Sequence, residues 1–271
     1  MAARVTTFIL SIALLLINTY AEDGAVKFSY SGDQTGPDQW GSLSPAYSAC
    51  SQGKSQTPID IVTDKAEHNK ELKPFRREYH PVNATLVNYG YSVGMDYEGN
   101  AGELILDDKK YKFKQMHWHS PSEHLINGVQ YEAELHLVHA SDDGNLVVVG
   151  ILYKDGNADP ILTKIQNKLD ELAKEHSTSD EGAHIPVGIF DLKQIPQSTR
   201  SRKYYRYLGS LTTPPCSENV IWHVLGRVRT ISKEQVKAIK APLDSGCKNN
   251  SRPLQQLNGR LVELYDAAKP N

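Results

Sequence analysis

The segment M-H-W-H-S-P-S-E-H, residues 116–124, places three histidines and a glutamate within nine positions. Imidazoles at this density are typical of a metal site or an acid–base site. If the segment begins in a β-strand, His117 and His119 project from one face, because side chains at i and i+2 share a face of a strand. Gln115 lies on the same face, where its carbonyl oxygen could orient a neighbouring imidazole. Trp118 points the other way.

A second strand can bring a third histidine to the first two. The segment Y-E-A-E-L-H-L-V-H, residues 131–139, alternates in the same way, and Asn127-Gly128 between the two segments favours a tight hairpin. Antiparallel pairing then places His136 beside the first pair, with Glu134 on the same face to accept the second N–H of its ring. Three nitrogen ligands on rigid strands leave a fourth position for water, which is the arrangement of a catalytic zinc site.

Two other interpretations of these histidines are weaker. Half-buried histidines on a polar sheet face would not explain why a carboxylate stands next to the histidine of the second strand. The cupin pattern H-x-H-x-x-x-E, which binds iron or manganese, fits His117, His119 and Glu123. It also requires glycines at the positions of Tyr111 and Gln130, so the cupin interpretation is disfavoured.

The elements that must position these residues are mostly strands. Alternation of apolar and polar residues predicts strands over 84–88, 104–107, 112–119 and 133–139, and an unbroken apolar run predicts a strand over 145–153 that is buried on both faces. An apolar stripe predicts a helix over 160–174 starting at Asp159-Pro160, and a capping box predicts a shorter helix after Ser232. The fold class is therefore mainly β with peripheral helices.

The N-terminal segment and the composition indicate which class of protein this is. Residues 1–21 have the charged start, apolar stretch and small-residue cleavage site of a secretory signal peptide, which leaves 22–271 as a single domain without linkers. The formal net charge is −2 and no basic stripe occurs, which excludes nucleic acid and anionic membranes as expected partners. We expect a secreted protein with no membrane attachment after cleavage.

The secretory route also bears on cysteines and asparagines. One disulfide is plausible between two of Cys50, Cys216 and Cys247, with one thiol remaining. The sequons at Asn83 and Asn249 are candidates for glycosylation in that compartment.

The sequence closely resembles the α-class carbonic anhydrases. Q-M-H-W-H-S-P-S-E-H and Y-E-A-E-L-H-L-V-H match the two zinc-binding segments of that family, and G-S-L-T-T-P-P-C (209–216) matches its active-site loop. The likeness extends in order from F-S-Y-S-G (28–32) to N-N-S-R-P-L-Q (249–255). The resemblance implies a large twisted, mostly antiparallel sheet of about ten strands with short helices. It also implies reversible hydration of carbon dioxide to bicarbonate and a proton by zinc-bound hydroxide.

The resemblance assigns roles to residues that match the family motifs. The zinc ligands would be His117, His119 and His136, and the residues that hold them would be Gln115, Glu134 and His124. Thr212 would accept a hydrogen bond from the hydroxide and donate one to Glu123. The substrate pocket would comprise Thr213, Val138, Val148, Leu211, Val220 and Trp222. The family pattern also pairs Cys50 with Cys216 and implies cis peptide bonds before Pro58 and Pro215.

The chain departs from the family at the proton shuttle. Fast members carry a histidine at the position of Tyr91, and a phenol with a pKa near ~10 is a poor relay at neutral pH compared with an imidazole near ~6.5. We expect slow proton export that imidazole buffer accelerates. An alternative function is a storage or binding protein on the same fold with lapsed catalysis. Whether it is an enzyme or a storage protein, we expect the chain to be a monomer or a weak homodimer.

Overall fold

The computed structural model describes residues 26–32, 34–74, 76–175, 183–194 and 203–268. The predicted signal peptide lies outside this part of the chain. None of the helices within the described ranges is long and apolar enough to cross a membrane.

The described residues form sixteen strands and four short α-helices. The strands are β1 (Asp60–Ile61), β2 (Glu67–His68), β3 (Arg76–Tyr79), β4 (Val82–Asn88), β5 (Val93–Tyr97), β6 (Gly102–Leu106), β7 (Lys109–His119), β8 (Leu125–Ile126), β9 (Val129–Gln130), β10 (Ala133–Ala140), β11 (Leu146–Asp155), β12 (His184–Phe190), β13 (Lys203–Ser210), β14 (Glu218–Leu225), β15 (Arg229–Ile231) and β16 (Glu263–Asp266). The helices are α1 (Trp40–Leu43), α2 (Ala49–Gln52), α3 (Pro160–Lys174) and α4 (Lys233–Lys240).

One mixed sheet organises the fold. Its main order is β12-β4-β5-β7-β10-β11-β14-β13-β16-β2, and β15, β6 and β3 bring the number of strands to 13. Most neighbours are antiparallel, but β14 and β15 run parallel to β11, and β2 runs parallel to β16. The expected mainly β fold is confirmed, with more strands than the ten expected. Strands as short as β2 and β15 contain too few residues to show a periodic pattern.

The sheet has a packed back face and a front face that carries the histidines. On the back face, α3 buries Ile161, Ile165, Leu169 and Leu172 almost completely. Each such side chain contributes about 1.5–3 kcal/mol by leaving water. Asp159 caps this helix by accepting hydrogen bonds from the backbone N–H groups of its first turn. The predictions for α3 and for the capped α4 are both confirmed.

The hairpin that joins the two histidine strands has the predicted turn. Asn127 and Gly128 have φ values of 51° and 74° between β8 and β9, which is the left-handed region that this pair of residues tolerates. The chain then returns as β10 and pairs antiparallel with β7, so that His136 lies directly opposite His117.

The N-terminal region is fastened to the loop that follows β13. Cys50 and Cys216 form the expected disulfide, with Cα atoms 5.0 Å apart, and Cys247 is the buried free thiol within the described chain. The peptide bonds before Pro58 and Pro215 are cis as expected. The bond before Pro121 is also cis, which the sequence analysis did not anticipate.

Candidate metal centre

Three imidazoles converge on the front face of the sheet. His117 and His119 project from the end of β7 and His136 from β10, and their ring centroids lie 4.6–5.1 Å apart. One nitrogen from each ring falls within a group of atoms that are all within 4.8 Å of one another. The structure thus brings together the three residues that the sequence singled out as ligands.

The two histidines of β7 are each held by an acceptor on the far side of the ring. The Nδ1 atom of His117 lies 2.8 Å from Gln115 Oε1, and the Nδ1 atom of His119 lies 2.6 Å from the backbone carbonyl of Asn250. Because carbonyl oxygens only accept, both Nδ1 atoms carry the proton and both Nε2 atoms present a lone pair.

The third histidine is held through its other ring nitrogen. His136 Nε2 donates to Glu134 Oε1 at 2.9 Å, so its Nδ1 atom presents the lone pair. His136 Nδ1 lies only 3.3 Å from His117 Nε2, and His119 Nε2 is buried without a hydrogen-bond partner among the described residues. Three lone pairs that face one another repel, and a cation between them removes the conflict. The nitrogen donor set and the open geometry fit Zn²⁺.

Burial keeps the imidazoles of this triad neutral. Loss of water around the rings lowers the pKa of His117 well below its usual range, and the neighbouring imidazoles lower it further. Burial also lowers the pKa of His119 to about 4 and lowers the pKa of His136 despite the charge of Glu134. Neutral imidazole is the form that binds a metal ion.

The Glu134 carboxylate supports the triad through four hydrogen bonds. Its Oε2 atom accepts from the backbone N–H groups of Glu123 and His124, and its Oε1 atom accepts from the rings of His124 and His136 at 2.7 and 2.9 Å. Burial opposes its ionisation, but the interactions with His124 and His136 outweigh burial and hold the pKa well below the usual range.

His124 is a supporting residue by its contacts. Its Nδ1 atom bonds Glu134 and its Nε2 atom lies 2.7 Å from the Tyr207 hydroxyl, so both nitrogens are engaged by protein groups. The Tyr207 hydroxyl in turn donates to Thr57 Oγ1. His124, Glu134 and His136 also lie close enough to hold an ion, but their atoms already satisfy one another.

The Glu123 carboxyl lies beside the nitrogens that face the centre of the triad. Its Oε1 atom accepts from the backbone N–H of Arg252 at 3.0 Å. Its Oε2 atom lies 3.5 Å from His119 Nε2 and 3.9 Å from His136 Nδ1, and has no hydrogen-bond partner within the described ranges. Burial raises the pKa of Glu123 to about 7, and the hydroxyl of Thr212 is among the groups that oppose this shift. Thr212 and Glu123 are therefore neighbours, without a standard hydrogen bond on Oε2.

An apolar surface adjoins the triad. Val138, Val148 and Trp222 are register partners across β10, β11 and β14, and the Trp222 and His136 ring centroids lie 4.8 Å apart. Val220 and the partly buried Leu211 belong to the same hydrophobic cluster. The five apolar residues assigned to the substrate pocket thus belong to one hydrophobic cluster beside the triad.

The remaining predicted residues differ in exposure. Thr213 is half-buried, and its carbonyl accepts from the backbone N–H of Cys216, so the disulfide-linked residue also closes the turn that begins at Thr213. The Tyr91 ring lies 4.9 Å from the Phe28 ring and is half-buried. The two sequon asparagines, Asn83 and Asn249, are exposed.

Sequence reasoning missed the contribution of the segment near the C-terminus. Asn250 holds His119 through its carbonyl, and its side chain bonds the backbones of Tyr91, Trp118 and Ser120. In the sequence, N-N-S-R-P-L-Q (249–255) indicates only a family likeness. A run of hydrogen-bonding side chains over 249–252 was the available signal.

Comparison with known proteins agrees with this geometry. A family model described as eukaryotic-type carbonic anhydrase matches residues 35–266. Alpha carbonic anhydrase 7 of Arabidopsis thaliana is 40% identical over 240 residues, which cover 88% of this chain and 85% of that protein. Dioscorin dioA3 of Dioscorea japonica is 38% identical over 244 residues, which cover 90% of this chain and 88% of that protein. A solved structure of dioscorin complexed with ascorbate has a TM-score of 0.83 at 37% identity and covers 89% of this chain and 98% of that one.

Proposed function

The chain belongs to the eukaryotic-type carbonic anhydrase family, and on that premise we propose that it is a zinc enzyme that hydrates carbon dioxide reversibly to bicarbonate and a proton. The convergence of three imidazole lone pairs carries this proposal. His117 and His119 would hold the metal through Nε2 and His136 through Nδ1, because the opposite nitrogen of each ring is bonded to the protein.

Bound Zn²⁺ supplies a Lewis acid and a water whose pKa is lowered towards neutrality. Glu134 and Gln115 keep the ligand rings in the tautomers that present a lone pair. Glu123 and Thr212 act on the oxygen nucleophile. If Thr212 gives its proton to Glu123, the Thr212 oxygen can only accept from its other neighbour, so this pair would select and orient a group with a proton to donate.

The apolar surface beside the triad suits an uncharged substrate. Carbon dioxide has no net charge and no dipole, so Val138, Val148 and Trp222 can hold it without losing hydrogen bonds. Thr213, next to Thr212 in the chain, would help to place the bicarbonate product. The nucleophile and the substrate thus meet at the boundary between the polar and apolar parts of the front face.

Other features support a secreted protein. The disulfide between Cys50 and Cys216 is stable in an oxidising compartment. Asn83 and Asn249 are exposed, as glycosylation requires. We propose that residues 1–21 are a signal peptide and that residues 22–271 form one domain, a monomer or a weak homodimer.

The similarity to dioscorins favours a second candidate, a storage protein with lapsed catalysis. The two functions differ in whether the metal-binding groups are needed. This chain retains the three ligand histidines, Glu123 and Thr212, which a purely storage role does not require.

Zinc content and carbon dioxide hydration separate the two functions. We expect about one zinc per chain, stopped-flow hydration that a chelator abolishes, and inhibition by a sulfonamide. A His119→Ala variant should lose zinc and activity, whereas His80→Gln at an exposed position should lose neither. A folded, zinc-free and inactive wild-type protein would contradict the enzyme function and favour storage.

A further inference from the structure

A row of paired residues crosses the sheet away from the metal centre. His136 on β10 pairs with His117 on β7, which pairs with Gly94 on β5, followed by Val87 on β4 and His184 on β12. Directly paired residues share a face of a sheet, so the row places exposed His184 on the same face as the triad. Three strand spacings of ~4.8 Å put His184 about 14 Å from His117.

The glycine in this row makes room for a phenol. A Cβ atom at Gly94 would lie 2.4 Å from Cε2 of the Tyr89 ring, so that ring covers the place where a side chain opposite His117 would lie. A bulkier residue at position 94 would displace the ring. Gly94 thus lets Tyr89, from the turn between β4 and β5, reach the metal side of the sheet.

Tyr89 is bonded to a carboxylate on the same face. Its hydroxyl donates to Asp96 Oδ1 at 2.6 Å, and Asp96 pairs in register with Gln115, the residue that holds His117. Tyr89 and Asp96 are both half-buried, whereas His184 is exposed. The three groups therefore lead from the half-buried part of this face to the solvent.

The electrostatics of Asp96 agree with this order. Burial raises its pKa above the usual range, while the Tyr89 hydrogen bond and the His184 imidazole oppose that shift. Its register partners on β4 and β7 are Thr85 and Gln115, which do not titrate. Tyr89 and His184 are thus the titratable groups that lower its pKa, and Tyr97 is a further titratable group that interacts with it.

We propose that Tyr89, Asp96 and His184 form a proton relay from the metal face to the solvent, in place of a histidine at the position of Tyr91. The relay rests on the proposed carbonic anhydrase function. A proton that leaves the site passes to the Tyr89 oxygen through water as the phenol proton moves to Asp96 Oδ1, so the phenol stays neutral. Asp96 then transfers the proton to His184 or to bulk water and returns to the carboxylate.

Oxygen-18 exchange at chemical equilibrium tests the relay, because it separates carbon dioxide interconversion from the proton-dependent release of water. In the zinc-loaded protein, Asp96→Asn and Tyr89→Phe should lower the water-release rate at least fivefold and leave interconversion within twofold of wild type. His184→Gln should lower water release by a smaller factor, and imidazole should restore all three variants. His80→Gln, which removes an exposed histidine elsewhere, is the matched control.

Carbon-13 NMR of the labelled Asp96 carboxyl gives a readout that does not depend on activity. Its titration midpoint should rise in Tyr89→Phe and in His184→Gln, because both groups oppose the upward shift of its pKa. Normal interconversion with unchanged water release in Asp96→Asn would overturn the relay alone. A wild-type protein without interconversion would overturn the proposed function, and an unmoved Asp96 midpoint would overturn the coupling between the groups.

Discussion

Glu134→Gln should uncouple the third histidine from the metal while changing few other atoms. The Oε2 atom of Glu134 accepts from two backbone N–H groups, which cannot change their protonation. The carbonyl oxygen of a glutamine must therefore face those groups, and its NH₂ must face the rings of His124 and His136. Since an NH₂ group cannot accept, His136 must carry its proton on Nδ1, the atom that would bind the metal.

The expected loss of zinc affinity follows from the buried N–H donor that the substitution leaves without an acceptor. Restoring the Nε2 proton of His136 against an NH₂ group costs about 1–3 kcal/mol, the penalty for a buried donor without an acceptor. At 1.4 kcal/mol per factor of ten, this weakens zinc binding by roughly 5- to 150-fold. Loss of a residue that orients a metal-binding histidine typically costs about 10–100-fold, which is the same range.

Zinc affinity should be measured by competition with a chelator at neutral pH. Glu132→Gln is the matched control, because Glu132 lies in the same segment but is exposed. We expect the control to bind zinc as wild type does and Glu134→Gln to bind roughly 5- to 150-fold more weakly. Nitrogen-15 NMR of metal-free Glu134→Gln should show His136 protonated at Nδ1. Equal affinities of the two variants, with His136 still protonated at Nε2, would refute the reasoning.

Three other outcomes are expected. Tyr91→His should raise buffer-independent kcat several-fold in stopped-flow hydration, since imidazole titrates near neutrality, and equal turnover of the two proteins would contradict the assigned shuttle position. Replacing both Cys50 and Cys216 with serine should lower the free energy of unfolding in urea by about 2–5 kcal/mol, because the bond closes a loop with a sequence separation of 166. Burial lowers the pKa of His139 to about 3, whereas the unfolded chain protonates it near ~6.5, so the folded state should lose stability as pH falls through this interval. Urea titrations between pH 6.5 and 4 should show a shallower loss for His139→Phe, and equal slopes would contradict a neutral His139 in the folded state.

The central strands were predictable because their residues carry a strong local pattern. β11 is an apolar run buried on both faces, and the sequences of β7 and β10 alternate on either side of the short β8–β9 hairpin that holds Asn127 and Gly128. A one-residue slip of either strand would move its histidines to the opposite face, so the alternation that buries one face specifies the register of the pair. This is why the convergence of His136 with the β7 histidines could be deduced before the structure was known.

The short edge strands and the parallel pairs could not be deduced in this way. β2 pairs with β16, nearly two hundred residues later, through two register pairs. Such a pairing depends on where the rest of the fold brings the two segments. A strand of two residues is also too short to show a periodic pattern in the sequence. The parallel pairing of β14 with β11 is likewise a consequence of topology, since both strands are apolar enough to lie anywhere in the interior.

The residues that support the candidate metal centre also fall into two groups, those close to the histidines in sequence and those far from them. Gln115 and Glu134 stand two residues from the rings they hold, so the alternation of a strand reveals both. Asn250 holds His119 across 131 positions of sequence, and Arg252 orients Glu123 across 129. A local pattern cannot contain such contacts, yet they fix the tautomer of one ligand and the direction of the carboxyl beside it. Substitutions at Asn250 should therefore alter zinc affinity as directly as substitutions at Gln115, although only Gln115 belongs to the histidine-rich segment.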